Sequence, residues 1–553
     1  MTFVCTECKK EGGILDFGFC KQKHPNAIKK KIGQEGTDSV LFTPTGKTFS
    51  FGKIDAENLN DLIVFKATIM QVSDISNYYI EKTYRCTECY EETSKICDEY
   101  RDIYDKDTVP VCVHCEQAPM KLDKNKSIIG NIRKVMLQET NDESGINPRR
   151  IEAHLTSKNV FDLQAGKDYK FEAKVWTISY GKKDNYNRFI LDVTRVRCLD
   201  EDTSIMPTAN EIEFFRKMDK KLVVESLAPE IIFRNNEKMA GIISFLSGGR
   251  VDGIRGDMSC LYVGDPSTGK SQILNALHSL DKHSFKISGR STSAAGMVMG
   301  VDNLPDGTRM ATFGPVILAH EHFVCIDEMD KMNENDRSML HDVMEDEVAH
   351  LNKVGINLTM PAQTKIIGAA NPKRSRYNMN DTIMRNVNMP NSFLARFGYV
   401  FLCRDNFTRD MESQKIDRIN YIKENGLDKF IETNGLLSHE MLVKYLNYAK
   451  SLTPSFTSGS LSKLKDLYLD LKFQEQDLGS LDIDTRAYHD IIRGAYSFAR
   501  FDFSDKVDVY HVNMAWNLYN EALKSFNMKT KGEFIDKQLE NRTTLSSLEE
   551  FSE

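Results

Sequence analysis

Residues Val263–Leu274 read VGDPSTGKSQIL, and this stretch decides the fold of the second half of the chain. The residues leading into it, Met258–Val263 (MSCLYV), form a short apolar run expected to be a buried strand, and Gln272–Leu280 (QILNALHSL) has the spacing of an amphipathic helix. Between them Gly264, Asp265, Pro266, Ser267, Thr268, Gly269, Lys270 and Ser271 match the spacing GxxxxGK[ST], with Gln272 next. Such a strand-loop-helix wraps phosphates in backbone N–H groups, brings the lysine to the β/γ oxygens and offers the serine hydroxyl to Mg²⁺. ATP or GTP is the expected ligand. The loop does not say which machine it powers.

Working outward, His322–Met332 (HFVCIDEMDKM) is an apolar strand that ends in Asp327 and Glu328. Asp327 is placed for the Mg²⁺ shell and Glu328 for polarising an attacking water. A further strand, Gln363–Pro372 (QTKIIGAANP), ends at Asn371, whose amide can orient that water. Arg396 precedes another strand in SFLARFGYVFL. It is poorly placed for its own nucleotide and well placed to enter a neighbour's site, where it would neutralise charge developing on the γ-phosphate. This order of cradle, acid pair, asparagine and arginine separates the chain from kinases and GTPases.

The first half carries different signals. Cys86 and Cys89 (CTEC) and Cys112 and Cys115 (CVHC) form two CxxC knuckles, the spacing with which four thiolates build a tetrahedral zinc site; Cys97 lies between them as a spare. A less regular set, Cys5, Cys8, Cys20 and His24, is a candidate for a second zinc. Four protein ligands leave no open position, so either site is structural rather than catalytic. Around the knuckles, 61–72, 127–139, 149–156, 168–180 and 187–199 alternate or run apolar in short bursts between polar turns. Five such strands suit an oligonucleotide-binding (OB) barrel with the zinc module inserted in one connection. The segment SYGKKDNYNRF between the last two strands puts Lys182, Lys183 and Arg188 beside Tyr180 and Tyr186, charge and stacking faces suited to a nucleic-acid backbone. A charged hairpin tip is also what any solvated turn looks like.

The whole chain bounds these readings. At 553 residues it exceeds a single core and calls for roughly three or four domains. With 41% hydrophobic and 28% charged residues it reads as an ordinary globular chain. No apolar run reaches the roughly 20 residues of a membrane-spanning helix, and the first ten residues lack a signal-peptide core, which points to the cytosol, the nucleoid or, in a eukaryote, the nucleus. A net charge of −7 means that any nucleic-acid contact comes from local basic tips.

Taken together, GDPSTGKSQ, SGRSTSAAG, CIDEMDKM, AANPKRSRYN and FLARFGYVF resemble, in this order, the ATPase core of the minichromosome maintenance (MCM) replicative helicases of the AAA+ superfamily. LVKYLNYAKSLTPSFT and DTRAYHDIIRGAYSFAR resemble that family's helical lid, and the zinc module inside a barrel matches its amino-terminal half. The resemblance implies an α/β nucleotide core over 223–405, a lid over 406–528 and a barrel over 56–202 with zinc near 84–118, joined by a linker over 203–222; the chain departs from the family in a cut-down N-terminal segment over 1–55, partly replaced by the cysteine–histidine cluster, and in a tail over 529–553 expected to be disordered. It implies an ATP-driven helicase that moves 3′ to 5′ along one strand, contacts single- and double-stranded DNA, forms a hexameric ring and is loaded by replication-initiation proteins. Lys270, Ser271, Asp327, Glu328 and Asn371 would then serve the subunit's own ATP, Arg396 would serve its neighbour's, and Arg486 would be the lid's second-sensor arginine with Arg493 as a nearby substitute.

By the same resemblance, Lys353 in EVAHLNKVGINLTM is the channel lysine that grips the DNA backbone, and VMGVDNLPDGTRMATF is the helix-interrupting hairpin. Without it, Lys353 is one of 73 basic residues. Gly398 stands where the family usually has an aspartate, which leaves the packing behind Arg396 open. No winged helix is expected after the lid. Two other functions share much of this pattern. Another AAA+ remodelling ATPase would have no use for a zinc barrel, and an ATP-gated DNA-binding or loading factor would not need Glu328, Asn371 and Arg396 together.

Overall fold

The computed structural model describes residues 56–97, 109–115, 118–140, 149–156, 165–179, 187–199, 206–251, 253–304, 308–353, 356–374, 383–405, 408–474 and 485–526, with isolated residues and short strands outside those ranges. The chain divides into two units, Met1–Lys47 and Thr48–Glu553. In the first, Phe3–Cys5 pairs antiparallel with Glu11–Gly12 and with Lys29–Lys31.

The second unit begins with a closed barrel. Its strands are β1 (Leu62–Ser73), β5 (Ile128–Glu139), β6 (Arg150–Thr156), β7 (Asp168–Ser179) and β8 (Asn187–Cys198). β1 pairs with β7, β7 with β8, β8 with β6 in parallel, β6 with β5, and β5 returns to β1. Alternation produces this closure: Phe65, Ala67, Leu137, Ala153, Phe171, Val175 and Leu191 turn inward and are buried. Bulges at Glu172/Ala173 and Ile69/Gln71 supply the extra bend that a five-stranded closure needs. All five strands expected from alternation are present. The connection from β1 to β5 holds β2 (Ser76–Cys86), β3 (Glu92–Ile96) and β4 (Met120–Leu122), the small sheet that carries the cysteine knuckles.

Much of the stretch read as a linker is helical. α1 (Ala209–Lys217) opens with a capping box between Thr208 and Glu211 and is followed by α2 (Lys220–Ser226). α3 (Asn235–Leu246), buried on almost every side, leads into the nucleotide core. There five parallel strands lie in the order β10 (Phe285–Ser288), β13 (Phe323–Asp327), β16 (Lys365–Ala370), β9 (Ser259–Gly264) and β17 (Phe397–Cys403). β9 and β16 are buried along their whole length, which is why both read as uninterrupted apolar runs. α4 (Lys270–Ser279) follows β9 and α5 (Glu334–Asp346) follows β13.

Two hairpins leave this core. β11 (Met299–Asn303) pairs with β12 (Arg309–Phe313), and β14 (Val348–Lys353) with β15 (Ile356–Pro361). The first does more than project: β12 also pairs antiparallel with β1 of the barrel, Thr312 opposite Gln71, and Gln71 Nε2 donates to Asp302 Oδ2 and Thr312 Oγ1, both at 3.0 Å. The barrel sheet therefore takes in this hairpin, while the five parallel strands of the nucleotide core form a sheet of their own. The lid comprises α6 (Arg409–Asn425), α7 (Leu427–Thr433), α8 (His439–Ser451), α9 (Ser458–Gln474), α10 (Thr485–Phe501) and α11 (Val509–Ser525). Its buried face, with Tyr445, Phe498 and Val512, joins α3 and β9 in one hydrophobic core.

Candidate functional site

The turn from β9 to α4 is the cradle. Ser267 and Gly269 both hold left-handed backbone, with φ of 64° and 89°, and such alternation turns successive N–H groups toward one concavity. Lys270 Nζ donates to Gly264 O at 2.9 Å, Asp265 O at 2.5 Å and Thr268 Oγ1 at 3.3 Å. Burial lowers the pKa of Lys270. A cavity of about 700 Å³ opens over the turn, lined by Pro266, Ser267, Thr268, Gly269, Lys270, Ser271, Gln272, Lys286, Ile287, Ser288, Asp327, Glu328 and Asn371. Gly264 and Asp265 lie outside the lining and act from behind it, where the Asp265 carboxylate accepts from the backbone N–H of Tyr377 at 2.8 Å.

The sheet order brings the chemical groups together. β13 and β16 lie side by side next to β9, so Asp327 and Asn371, at their carboxyl ends, reach the mouth of the cradle from one edge. Glu328 stands in left-handed conformation at φ 53°, a strained backbone that directs its carboxylate over the cavity. Ser288 Oγ donates to Glu328 Oε2 at 3.2 Å, and Glu328 N donates to Asp327 Oδ1 at 2.8 Å. Ser288 was not singled out from sequence: nothing local marks a serine at a strand end as the partner of a glutamate 40 residues away.

Arg396 and Arg486 are absent from this lining. They meet elsewhere, on the last turn of α5. Arg396 Nη2 donates to Glu345 Oε2, Arg396 Nε donates to His341 Nε2 at 3.3 Å, and Arg486 Nη2 lies 3.8 Å from Glu345 Oε1. The guanidinium of Arg396 holds the Glu345 carboxyl below the usual carboxylate range. Arg493 points inward instead, donating to Asp490 Oδ1 and to Arg255 O, both at 2.7 Å. Behind Arg396, a Cβ at Gly398 would stand 3.2 Å from Asp490 Oδ1, so a carboxylate of the lid lies beside this position.

The sulfur atoms of Cys86, Cys89, Cys112 and Cys115 lie within 4.8 Å of one another, with Cys89 and Cys112 3.5 Å apart. Zinc–sulfur bonds of 2.3 Å in a tetrahedron put sulfurs about 3.8 Å apart, so this cluster fits zinc. N–H groups of Cys89 and Glu88 directed at the Cys86 sulfur hold its thiol down at about 7. Cys97 takes no part in the cluster. The side chains of Cys5, Cys8, Cys20 and His24, like Tyr180, Lys182, Lys183, Tyr186 and the tail after 526, lie outside the described residues.

Arg188 is exposed at the start of β8, and Lys353 is exposed at the end of β14, on a hairpin anchored by buried Ala349, Leu351 and Ile356. A further basic feature crosses the barrel: Lys66, Lys170 and Arg197 stand directly opposite one another on β1, β7 and β8. Like charges in register destabilise a sheet. Only strand pairing reveals this row, because the three residues are far apart in sequence.

Comparison with known proteins agrees with this architecture. The family profile described as the MCM OB domain matches residues 50–178, the MCM P-loop domain matches 209–420 and the MCM AAA-lid domain matches 440–523. A DNA replication licensing factor MCM4 of Drosophila melanogaster is 27% identical over 86% of this chain and 58% of its own length. Its counterpart in Oryza sativa is 26% identical over 85% and 59%. An uncharacterized MCM-type protein of Methanocaldococcus jannaschii is 26% identical over 87% and 72%. The chain thus spans somewhat under three-fifths of the length of the first two relatives. A P-loop domain of this kind implies ATP and Mg²⁺, and with barrel, nucleotide core and lid matched in that order, the chain belongs to the MCM family.

Proposed function

We propose that this chain is the subunit of an ATP-driven ring, a DNA helicase and translocase whose ATP sites are shared between adjacent subunits. The observation that carries this reading is the separation of the two halves of one site. The cradle, the acids and Asn371 line one cavity, while Arg396 and Arg486 meet on α5 outside it. A subunit so built completes its hydrolytic site by lending arginines to one neighbour and borrowing them from the other, and a hexamer is the closed ring that we infer.

Within the site, Lys270 and the loop amides bind the phosphates, and Ser271 and Asp327 would hold Mg²⁺, which would supply charge neutralisation to the phosphates. Glu328, steadied by Ser288, polarises the water in line with the γ-phosphate, and Asn371 orients it. The neighbour's Arg396 neutralises charge that develops on the transferred group. In the channel, Lys353 at the hairpin end offers the DNA backbone a cation. The row of Lys66, Lys170 and Arg197 and the exposed Arg188 offer it more on the barrel, where a phosphate backbone would offset their mutual repulsion. Zinc at Cys86, Cys89, Cys112 and Cys115 would hold the inserted module together. The working compartment would be that of the DNA, nucleoid or nucleus.

Two assays test this reading. Mixing Arg396→Ala subunits with Lys270→Ala subunits should recover ATPase activity that neither variant has alone, since some interfaces then join an intact cradle to an intact arginine. Persistent inactivity of the mixture refutes shared sites. Strand displacement on a forked duplex separates a helicase from an ATP-gated loading factor, and ATP-dependent binding without displacement would favour the latter.

A further inference from the structure

Among the described residues, Glu345 is an acidic group that both arginines of the second half-site approach. Its two oxygens face different partners, Oε2 accepting from Arg396 Nη2 and Oε1 lying 3.8 Å from Arg486 Nη2. One helical turn earlier on α5, His341 Nε2 takes the remaining Nε–H direction of Arg396 at 3.3 Å. The four residues come from three elements: Glu345 and His341 from α5, Arg396 from the turn before β17, and Arg486 from the first turn of α10 in the lid. The Arg396 side chain is 10% exposed and that of Glu345 47%, so the carboxylate covers the arginine from the solvent side and must swing aside to release it.

Two guanidinium groups do not settle beside each other unaided. Their charges repel, and each long side chain has several rotamers to lose. A carboxylate between them eases both obstacles: one oxygen holds the Arg396 fork in a hydrogen bond, and the other attracts Arg486 by charge across 3.8 Å. It is also chemically interchangeable with what the arginines would meet on assembly, since a phosphate presents the same geometry to a guanidinium.

We propose that Glu345 is the positioning residue of the shared site: it aligns Arg396 and Arg486 as a pair on the surface of one subunit and yields them to the γ-phosphate of the adjacent subunit's ATP. This rests on the composite-site reading above. A carboxylate in this role sets how well the arginines are aimed rather than how tightly ATP enters the neighbouring cradle.

The test uses the full chain and three measurements. Glu345→Gln should lower kcat for ATP about ten- to a hundredfold, the cost of a small misplacement of a catalytic group, while KM changes much less. Glu345→Asp should restore most of the rate. In mixing experiments Glu345→Gln should regain activity with Lys270→Ala, whose α5 is intact, and none with Arg396→Ala, which is defective on the same side. The pairing of Arg396→Ala with Lys270→Ala is the control. If that control stays inactive, the composite site itself fails. If it recovers but Glu345→Gln does not complement Lys270→Ala, or complements Arg396→Ala, or turns over like wild type, the assignment of Glu345 is wrong. Loss of ring assembly by Glu345→Gln in sedimentation, in parallel with the rate, would also overturn it by making Glu345 an interface residue only.

Discussion

Placing an aspartate at Gly398 should destabilise this protein. A Cβ at Gly398 would stand 2.5 Å from Met258 Cγ and 2.8 Å from Met258 Sδ, and Met258 is 1% exposed, so its side chain has little room to withdraw. Overpacking of that kind costs about 1–3 kcal/mol. The introduced carboxylate would also lie beside Asp490, which is buried and already accepts from Arg493 Nη1 at 2.7 Å. Two like charges about 4 Å apart at an effective dielectric of about 20 repel by about 4 kcal/mol, a cost that protonation or sharing of Arg493 reduces. A net loss of about 3 kcal/mol or more lowers the melting midpoint of the ATPase core and lid by roughly 5–10 °C. Scanning calorimetry of the full chain reads this directly. Gly398→Ala carries the packing part alone and should fall less, while adding Asp490→Asn to Gly398→Asp should recover the charge part. A Gly398→Asp chain that melts at or above wild type would refute the reasoning. Equal losses for Gly398→Ala and Gly398→Asp would remove the electrostatic half of it.

The remaining predictions concern the water-activating acid and the zinc module. Glu328→Gln should bind ATP normally and turn it over about 100-fold more slowly or worse, the usual contribution of a general base; near-normal turnover in a steady-state assay removes Glu328 from that role. Metal analysis should find zinc bound through Cys86, Cys89, Cys112 and Cys115. Among the described residues the buried core of that module is Tyr84, Cys86, Cys112, Ala118 and Met120, two of them candidate ligands, so chelation or Cys112→Ser should expose the segment around 84–122 to protease. The melting transition of the ATPase core should not move, and a module that stays protected without metal would show that the sulfurs pack without an ion.

The signals legible in the sequence were those whose cause is local. The cradle reads as one because its loop spacing, the strand before it and the helix after it are contiguous. The five barrel strands were legible because a sheet with one face in a core must alternate, and each strand records that by itself. The paired CxxC knuckles likewise carry their ligand geometry in two short turns. The linker expected at 203–222 overlaps helices that begin at Ala209, because a capping box between Thr208 and Glu211 is a weak sign beside a run of polar residues.

What only the tertiary structure decided are the pairings between distant residues. Strand closure put Lys66, Lys170 and Arg197 in one row, and an edge of β1 left available by the barrel took up β12, joining the hairpin of the nucleotide core to the barrel. Folding of the lid onto the core brought Arg486 to Glu345 and Asp490 to Gly398. Periodicity reports which face of an element is buried, never which element covers it. A charged side chain's partner is chosen by Coulomb energy and desolvation among whatever the fold brings within a few ångströms, and that choice leaves no trace in the residues on either side of it.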